Sequence, residues 1–256
     1  MKAYAKANIF LKLVGFDKRR YHLLESRFIL LKNLFDEIHI VEKSSNSPKG
    51  FEIISNFNCE DNIITKAYHL LCQNGYQNEL EEFFKTKSLK LIKNIPTCAG
   101  LGGGSSDCAS FLMLINEELN LKLSTQKLIE LSTQLGSDIA FFLSGFESAN
   151  VSGCGEIIEE FNDTIPSLEW VFPEVSCQTK KVYDEFDKGE IDFEKNILEA
   201  KIYKDLNTKE LLETFKNTQL NDLFTPCVTL YPKMFLFLEQ GFFLSGSGSS
   251  VFKVHQ

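Results

Sequence analysis

Hydrophobic and polar positions alternate at the start of the chain. Ala5, Ala7, Ile9, Leu11 and Leu13 interleave with Lys6, Asn8, Phe10 and Lys12, which predicts a strand with Lys6 and Asn8 on one face. Further on the period lengthens to that of a helix, placing Ile63, Ile64, Ala67, Leu70 and Leu71 toward a core. The apolar run Leu89-Lys90-Leu91-Ile92-Lys93 reads as another strand. From Ser105 a second helix is expected, because Ala109, Leu112, Ile115 and Leu119 recur at helical spacing and Ser105 or Ser106 is placed to cap it. Residues 125–135 predict a third helix stopped by Gly136, and an apolar helix begins at Ile139, directly after Asp138. Residues 188–220 are charged and helical in pattern. A helix over 232–240, the strand Phe242-Phe243-Leu244 and the run Ser245-Gly246-Ser247-Gly248-Ser249-Ser250 follow.

The N-terminal segment superficially suggests a signal peptide, but Lys6, Asn8 and Lys12 interrupt its apolar run and no small-residue cleavage site follows. No stretch approaches the roughly 20 apolar residues of a membrane span. A chain of 256 residues is long enough for two lobes. Its 27 basic residues against 35 acids give a net charge of -8, which argues against bulk attraction to nucleic acid or an anionic membrane, so any polyphosphate must be held by local geometry. The seven cysteines are odd in number, scattered and without a C-x-x-C pair, and read as reduced thiols of a cytoplasmic protein. The four histidines show no metal-ligand spacing.

Between the strand at 89–93 and the helix at 105 stands Pro96-Thr97-Cys98-Ala99-Gly100-Leu101-Gly102-Gly103-Gly104-Ser105-Ser106. Glycine lacks a Cβ and accepts φ > 0, so successive N–H groups can converge on one anion, which would also meet the unpaired N–H groups of the helix that follows. A P-loop would need lysine after the glycines, whereas Ser105 stands there and the next lysine is Lys122. A dinucleotide turn fails at Ser105, where its third glycine belongs. The His-Arg-Asp and Asp-Phe-Gly signatures of protein kinases do not occur. A flexible linker would not usually stand between an apolar strand and an apolar helix.

Residues 96–107 resemble the second signature of the GHMP kinases, whose glycine-rich loop wraps the phosphates of ATP without a P-loop lysine. Within that family the form Gly-Leu-Gly-Gly-Gly-Ser-Ser-Asp is similar to the branch acting on a cytidine diphosphate-linked methylerythritol, although Thr97, Cys98 and Ala99 replace a longer glycine run. Ala5-Lys6-Ala7-Asn8 resembles the first family motif, whose lysine faces the acceptor hydroxyl; the alternative is an ordinary solvated strand lysine. Tyr21-His22-Leu23-Leu24-Glu25-Ser26 resembles the cytidine-recognising stretch, with Arg20 in place of its glycine; Lys18, Arg19 and Arg20 could still attract an anionic substrate, and the alternative is half-buried packing. Asp61-Asn62-Ile63-Ile64 resembles Asp-Asn-Leu-Ile, which makes Asn62 a candidate adenine contact and equally a helix cap. Lys93 matches a lysine near substrate, or is again a solvated strand lysine. Leu135-Gly136-Ser137-Asp138-Ile139 resembles the segment that carries the proposed catalytic base, and Asp138 is also placed to cap a helix. Ser152-Gly153-Cys154-Gly155-Glu156 resembles a glycine turn near a lobe boundary. Tyr183 stands where an aromatic would sandwich cytosine against Tyr21, and the Ser245 to Ser250 run resembles the third motif, or is simply a glycine-rich hairpin.

The resemblance implies an α+β fold with a ribosomal-protein-S5-like N-terminal lobe over residues 1–154 and a ferredoxin-like C-terminal lobe over 155–256. It implies transfer of the ATP γ-phosphoryl to the 2-hydroxyl of the cytidine-linked substrate in non-mevalonate isoprenoid synthesis. Lys6 and Asp138 would be catalytic. Asn62 and Pro96, Thr97, Cys98, Ala99, Gly100, Leu101, Gly102, Gly103, Gly104, Ser105 and Ser106 would bind ATP, and Asn8, Tyr21, His22, Lys93 and Tyr183 the acceptor. Mg²⁺ would accompany ATP with no assigned protein ligands beyond a possible serine of the Ser105-Ser106 pair. No nucleic-acid or membrane partner is expected, and the chain would be a monomer or weak homodimer. Two other readings are a GHMP kinase for another small alcohol, of homoserine or mevalonate type, and a non-catalytic nucleotide-binding protein; retention of both Lys6 and Asp138 argues against the second.

Overall fold

The alternating N-terminal segment forms β1 (Lys2–Phe16), which pairs with the long strand β2 (His22–Glu42). The computed structural model describes residues 1–57 and 62–255. Two compact units interleave along the chain: Met1–Ala5, Leu31–Ile95 and Gly103–Gly145 make the first, and Lys6–Leu30, Pro96–Gly102 and Phe146–Gln256 the second. β1 and β2 each run through both units, and the glycine-rich loop passes from one to the other between Gly102 and Gly103. The last crossing falls after Gly145, where the left-handed glycine (φ 76°) ends an apolar helix.

In the first unit β3 (Ile53–Ser55) runs parallel to β4 (Lys87–Ile92), and β4 runs antiparallel to the C-terminal part of β2, with Glu37 opposite Ile92 and Glu42 opposite Lys87. Helices α1 (Ile63–Leu71), α2 (Gln77–Phe83), α3 (Gly103–Glu118), α4 (Thr125–Ser132) and α5 (Ile139–Ser144) complete it. The apolar stripes are buried as their spacing predicts: Ile64, Ala67, Leu71, Ala109, Leu112 and Ile115 contact no solvent. Phe51 stacks flat on Tyr68 at 4.4 Å and meets Phe84 edge-on at 4.7 Å. Helix α4 stops three residues earlier than its pattern. Ser132 and Thr133 donate their hydroxyls back to the carbonyls of Ile129 and Glu130, a local competition that loosens the last turn.

In the second unit the N-terminal part of β2 is antiparallel to β5 (Ser148–Gly153), which turns antiparallel into β6 (Ile157–Glu160). A smaller sheet has the order β7 (Leu168–Val171), β9 (Val251–Val254), β8 (Phe243–Leu244). Helices α6 (Thr179–Phe186), α7 (Phe193–Asp205), α8 (Thr208–Thr214), α9 (Asn217–Leu220), α10 (Phe224–Leu230) and α11 (Phe235–Glu239) supply the rest. Here β1 is covered on both faces, so its alternation separates two kinds of interior rather than core from solvent. Lys12, on the polar face, is buried against Asp222 at 2.5 Å and Glu199 at 2.8 Å. Arg27 of β2 is fully buried. It donates to Asn150 Oδ1 and to the carbonyls of Lys204 and Leu206, pairs with Asp163 at 3.4 Å and lies 3.4 Å over the Phe161 ring, which ties α7 and the start of α8 to the strands. No helix among the described residues is long and apolar enough to cross a membrane.

Candidate active site

The first half of the glycine-rich loop is pinned from two directions within the second unit. Lys6 N–H of β1 donates to Leu101 O at 2.9 Å, and from the β8–β9 turn Ser250 N–H donates to Ala99 O at 3.1 Å and Ser245 Oγ to Gly100 O at 3.2 Å. Gly100 and Gly102 take φ of 75° and 68°, as expected of a loop that turns its amides inward. A Cβ on Gly100 would lie 2.3 Å from Ser245 O. Glycine is therefore needed there for close backbone approach as well as for conformation, and the Ser245 to Ser250 run serves as the wall against which the loop is built. Cys98, in the segment where relatives of this motif have more glycine, adopts φ 54° and keeps a left-handed turn at a cost of about 1 kcal/mol.

In the first unit the loop continues directly as the first turn of α3. The helix begins at Gly103, two residues before the position predicted, so Ser105 and Ser106 lie inside it and do not cap it. Gly102, left-handed, already delivers the chain into the helix. Gly103 and Gly104 take no positive φ; what glycine provides at 103 is space, since a Cβ would sit 3.1 Å from Ile95 Cγ2 and 3.5 Å from Lys93 Nζ. The unpaired first-turn N–H groups and the dipole of this 16-residue helix give its N-terminus positive character, which favours an anion there.

Lys93, at the end of β4, is not a solvated lysine. Its ammonium pairs with Asp107 Oδ2 at 2.6 Å and with Asp36 Oδ2. Asp36 is fully buried and accepts also from the N–H groups of Asn94 (2.5 Å) and Ile95 (2.8 Å), which fixes the chain just before the loop. Asp107 is buried with Oδ1 unpartnered. Burial pushes its carboxyl from 3.8 up to about 7; Lys93 opposes the shift and Asp36 adds to it. A raised carboxyl pKa means the folded protein holds the proton more tightly than the unfolded chain, so stability is lost as pH rises from about 4 through 7. Asp107→Asn should flatten this dependence by roughly 2–3 kcal/mol between pH 5 and pH 8. Urea unfolding at the two values measures it, and parallel profiles for variant and wild type would refute it.

Lys6 and Asn8 project from the same face of β1 in the second unit, and both are buried. Lys6 Nζ donates to Asn8 Oδ1 at 2.7 Å and lies 4.5 Å from the centre of the Phe28 ring. Asn8 Nδ2 donates to Ser26 Oγ at 2.9 Å, whose hydroxyl donates to Phe10 O, so a continuous set of hydrogen bonds holds the lysine head. The solvated-strand reading fails here too: Lys6 is 4% exposed. In the first unit Asn62 caps α1, its Oδ1 accepting from Ile64 N–H at 2.9 Å, while Asp61 lies outside the described residues. Asp138 occupies the N-cap position of α5, half-buried, but its side chain makes no capping bond. Capping therefore does not account for this carboxylate.

The Tyr21-His22 stretch opens β2 in the second unit. Arg20, where a glycine is expected, adopts φ 69°, and the turn persists because Asp17 Oδ1 accepts from the N–H groups of both Arg19 (2.8 Å) and Tyr21 (2.9 Å). Tyr21 is 62% exposed, with the Arg19 guanidinium 5.1 Å from its ring centre. His22 is mostly covered: its ring lies 4.6 Å from Phe16 and 4.9 Å from Tyr183 of α6, and Nε2 is 2.7 Å from Asp187 Oδ1. Tyr183 is thus brought to His22, as part of an aromatic group that also includes Phe186. Asp36 and Asp187 escaped the sequence reading. An acid in a buried stretch of β2 and an acid four residues after an aromatic on a helix were the available signals.

Residues 62–146 match the family model of the GHMP kinases N terminal domain. A Campylobacter jejuni 4-diphosphocytidyl-2-C-methyl-D-erythritol kinase is 74% identical over 99% of both chains. The enzymes of that name from Sulfurimonas denitrificans and Helicobacter pylori are 39% and 33% identical, over 100% and 99% of this chain and 96% and 93% of theirs. Among solved structures, a 4-(cytidine 5'-diphospho)-2C-methyl-D-erythritol kinase superposes with TM-score 0.74 at 25% identity, covering 100% of this chain and 90% of that one. A mevalonate kinase, at TM-score 0.66 and 14% identity, shares the fold. The mixed helix-and-sheet architecture expected from the motifs is the one found, and the chain belongs to the GHMP kinase family.

Proposed function

We infer that this chain is an ATP-dependent kinase that phosphorylates 4-diphosphocytidyl-2-C-methyl-D-erythritol, at its 2-hydroxyl, in the non-mevalonate route to isoprenoid precursors. The observation that carries the reading is the loop at 96–102, braced by Lys6 N–H and the Ser245 to Ser250 run and leading into a 16-residue helix at Gly103, in a chain 74% identical to a kinase of that name. The loop and the first turn of α3 bind the polyphosphate through backbone N–H groups. Asp138 takes the proton of the acceptor hydroxyl, and the ammonium of Lys6, held by Asn8, orients that hydroxyl and stabilises the charge that develops on it. Asn62 serves adenine with the part of its amide that capping leaves over. Lys93 binds on the acceptor side, and Tyr21, His22 and Tyr183 bind cytosine.

No group of three or more His, Cys, Asp or Glu side chains that could hold a metal ion is found among the described residues. Mg²⁺ carried in by ATP would be held mainly by phosphate oxygens and water, with a hydroxyl of the Ser105-Ser106 pair as its protein contact. Bound there, the ion would neutralise phosphate charge. The chain acts as a monomer or weak homodimer on a small molecule in the cytoplasm, a reading supported by its acidic charge and by six described cysteines that are all free.

ADP release, measured with the cytidine-linked compound, mevalonate and homoserine in parallel, tests the assignment. Turnover confined to mevalonate or homoserine overturns the acceptor and leaves the family. His22→Ala should lower kcat/KM for the cytidine-linked compound by roughly 5- to 150-fold, the cost of one unsatisfied buried hydrogen bond, with KM for ATP unchanged. Equal losses for both substrates would count against His22 as an acceptor contact.

A further inference from the structure

We propose that Asp187 is a positioning residue that sets which nitrogen of His22 faces the acceptor's pyrimidine, and so makes the site select an amino-pyrimidine over a keto-pyrimidine. The inference rests on the acceptor reading above.

The imidazole of His22 is flanked by Phe16 at 4.6 Å and Tyr183 at 4.9 Å, and Phe186 approaches at 6.1 Å. Three aromatic rings crowd the imidazole, which leaves its edge nitrogens as the groups for recognising a ligand. One edge nitrogen is already engaged. Nε2 lies 2.7 Å from Asp187 Oδ1, and a carboxylate can only accept, so the Nε2 proton is donated to Asp187. In that tautomer the lone pair lies on Nδ1. An acceptor at that place pairs with an N–H donor, such as the exocyclic amine of cytosine, and opposes the carbonyl that uracil has at the same ring position.

Asp187 is the C-cap residue of α6 (φ -66°, ψ -14°), one turn after Tyr183, and its backbone N–H bonds to Tyr183 O at 3.0 Å. The same helical turn therefore supplies the aromatic neighbour and the carboxylate that orients the ring. The Asp187 side chain is 40% exposed, so replacing it leaves no buried cavity.

The test compares the cytidine-linked substrate with its uridine-linked counterpart in wild type, Asp187→Ala and Asp187→Asn, alongside ¹⁵N NMR of the His22 ring. Wild type should show a neutral ring protonated on Nε2 and prefer the cytidine compound by at least tenfold in kcat/KM. Asp187→Ala should raise KM for the cytidine compound about tenfold with kcat and KM for ATP retained. In Asp187→Asn the amide can donate to Nε2 and move the ring proton to Nδ1, so the preference should fall toward unity. A wild-type ring protonated on Nδ1 or on both nitrogens, or an Asp187→Ala variant with unchanged KM and unchanged preference, would overturn the inference alone. A wild-type protein inactive on both compounds would overturn the acceptor reading and the inference with it.

Discussion

Asp138→Asn should fold normally and lose between about 10²- and 10⁴-fold in turnover, the range supplied by a positioned general base. The side chain makes no capping bond to α5, so the amide sacrifices no helix hydrogen bond, and loss of a charge near a helix start costs at most about 1 kcal/mol. The variant should bind ATP like the wild type, which separates a chemical defect from a binding one. ADP release at saturating substrate, with circular dichroism as the control for folding, measures the effect; a folded variant with near-normal kcat would remove Asp138 from the chemistry. Lys6→Met, which keeps the aliphatic stem and deletes the ammonium, should lower kcat in the same way. Its stability should fall by about 1–3 kcal/mol as well, because Asn8 Oδ1 is buried and loses its donor. If only KM for ATP rose, Lys6 would belong to the nucleotide side.

Gly100→Ala should destabilise the protein by about 3 kcal/mol or more, an effect out of proportion to one added methyl group. Two penalties combine: φ of 75° costs an L-residue about 1 kcal/mol, and the new Cβ meets the main-chain oxygen of Ser245 at 2.3 Å, where no side-chain rotation can relieve it. Gly50→Ala is the matched control. It has φ of 85° and nothing within 4 Å of the new Cβ, so it should cost only the conformational part. Equal urea midpoints for the two variants would mean that the loop yields freely and that Ser245 does not brace it. Should the backbone move instead of the protein unfolding, ATP affinity would fall, because the amides proposed to hold the phosphates shift with Gly100.

Much of the candidate site is legible in the sequence because its parts are local. The glycine run, the alternation that puts Lys6 and Asn8 on one face of β1, and the apolar segment that isolates Asp138 at the start of α5 are each set by the conformational preferences of a few neighbouring residues. The helix positions of α1 and α3 follow equally from spacing, since every third or fourth apolar side chain must leave water on the same side. Where local cues compete, the reading slips by a turn: Gly102 starts α3 before the serines can cap it, and hydroxyls bonding backward end α4 early.

What pattern alone did not determine depends on partners distant in sequence. Whether a strand lysine is solvated or buried was open for both Lys6 and Lys93, and it was decided by Asn8 and Phe28 for the first and by Asp36 and Asp107 for the second. The reason is that a charge can be buried only where opposite charge and hydrogen-bond acceptors converge on it, and such convergence is a property of packed elements. Asp187 lies 165 residues from His22 and shows no motif, yet it reaches the imidazole across the fold. In the same way the glycine at 100 is needed less for its own turn than for the carbonyl of Ser245. Sequence determined which residues could do the chemistry and on which local elements they stand; tertiary structure alone decided which of them are held, by what, and in which protonation state, because those depend on desolvation and on neighbours that only folding brings near.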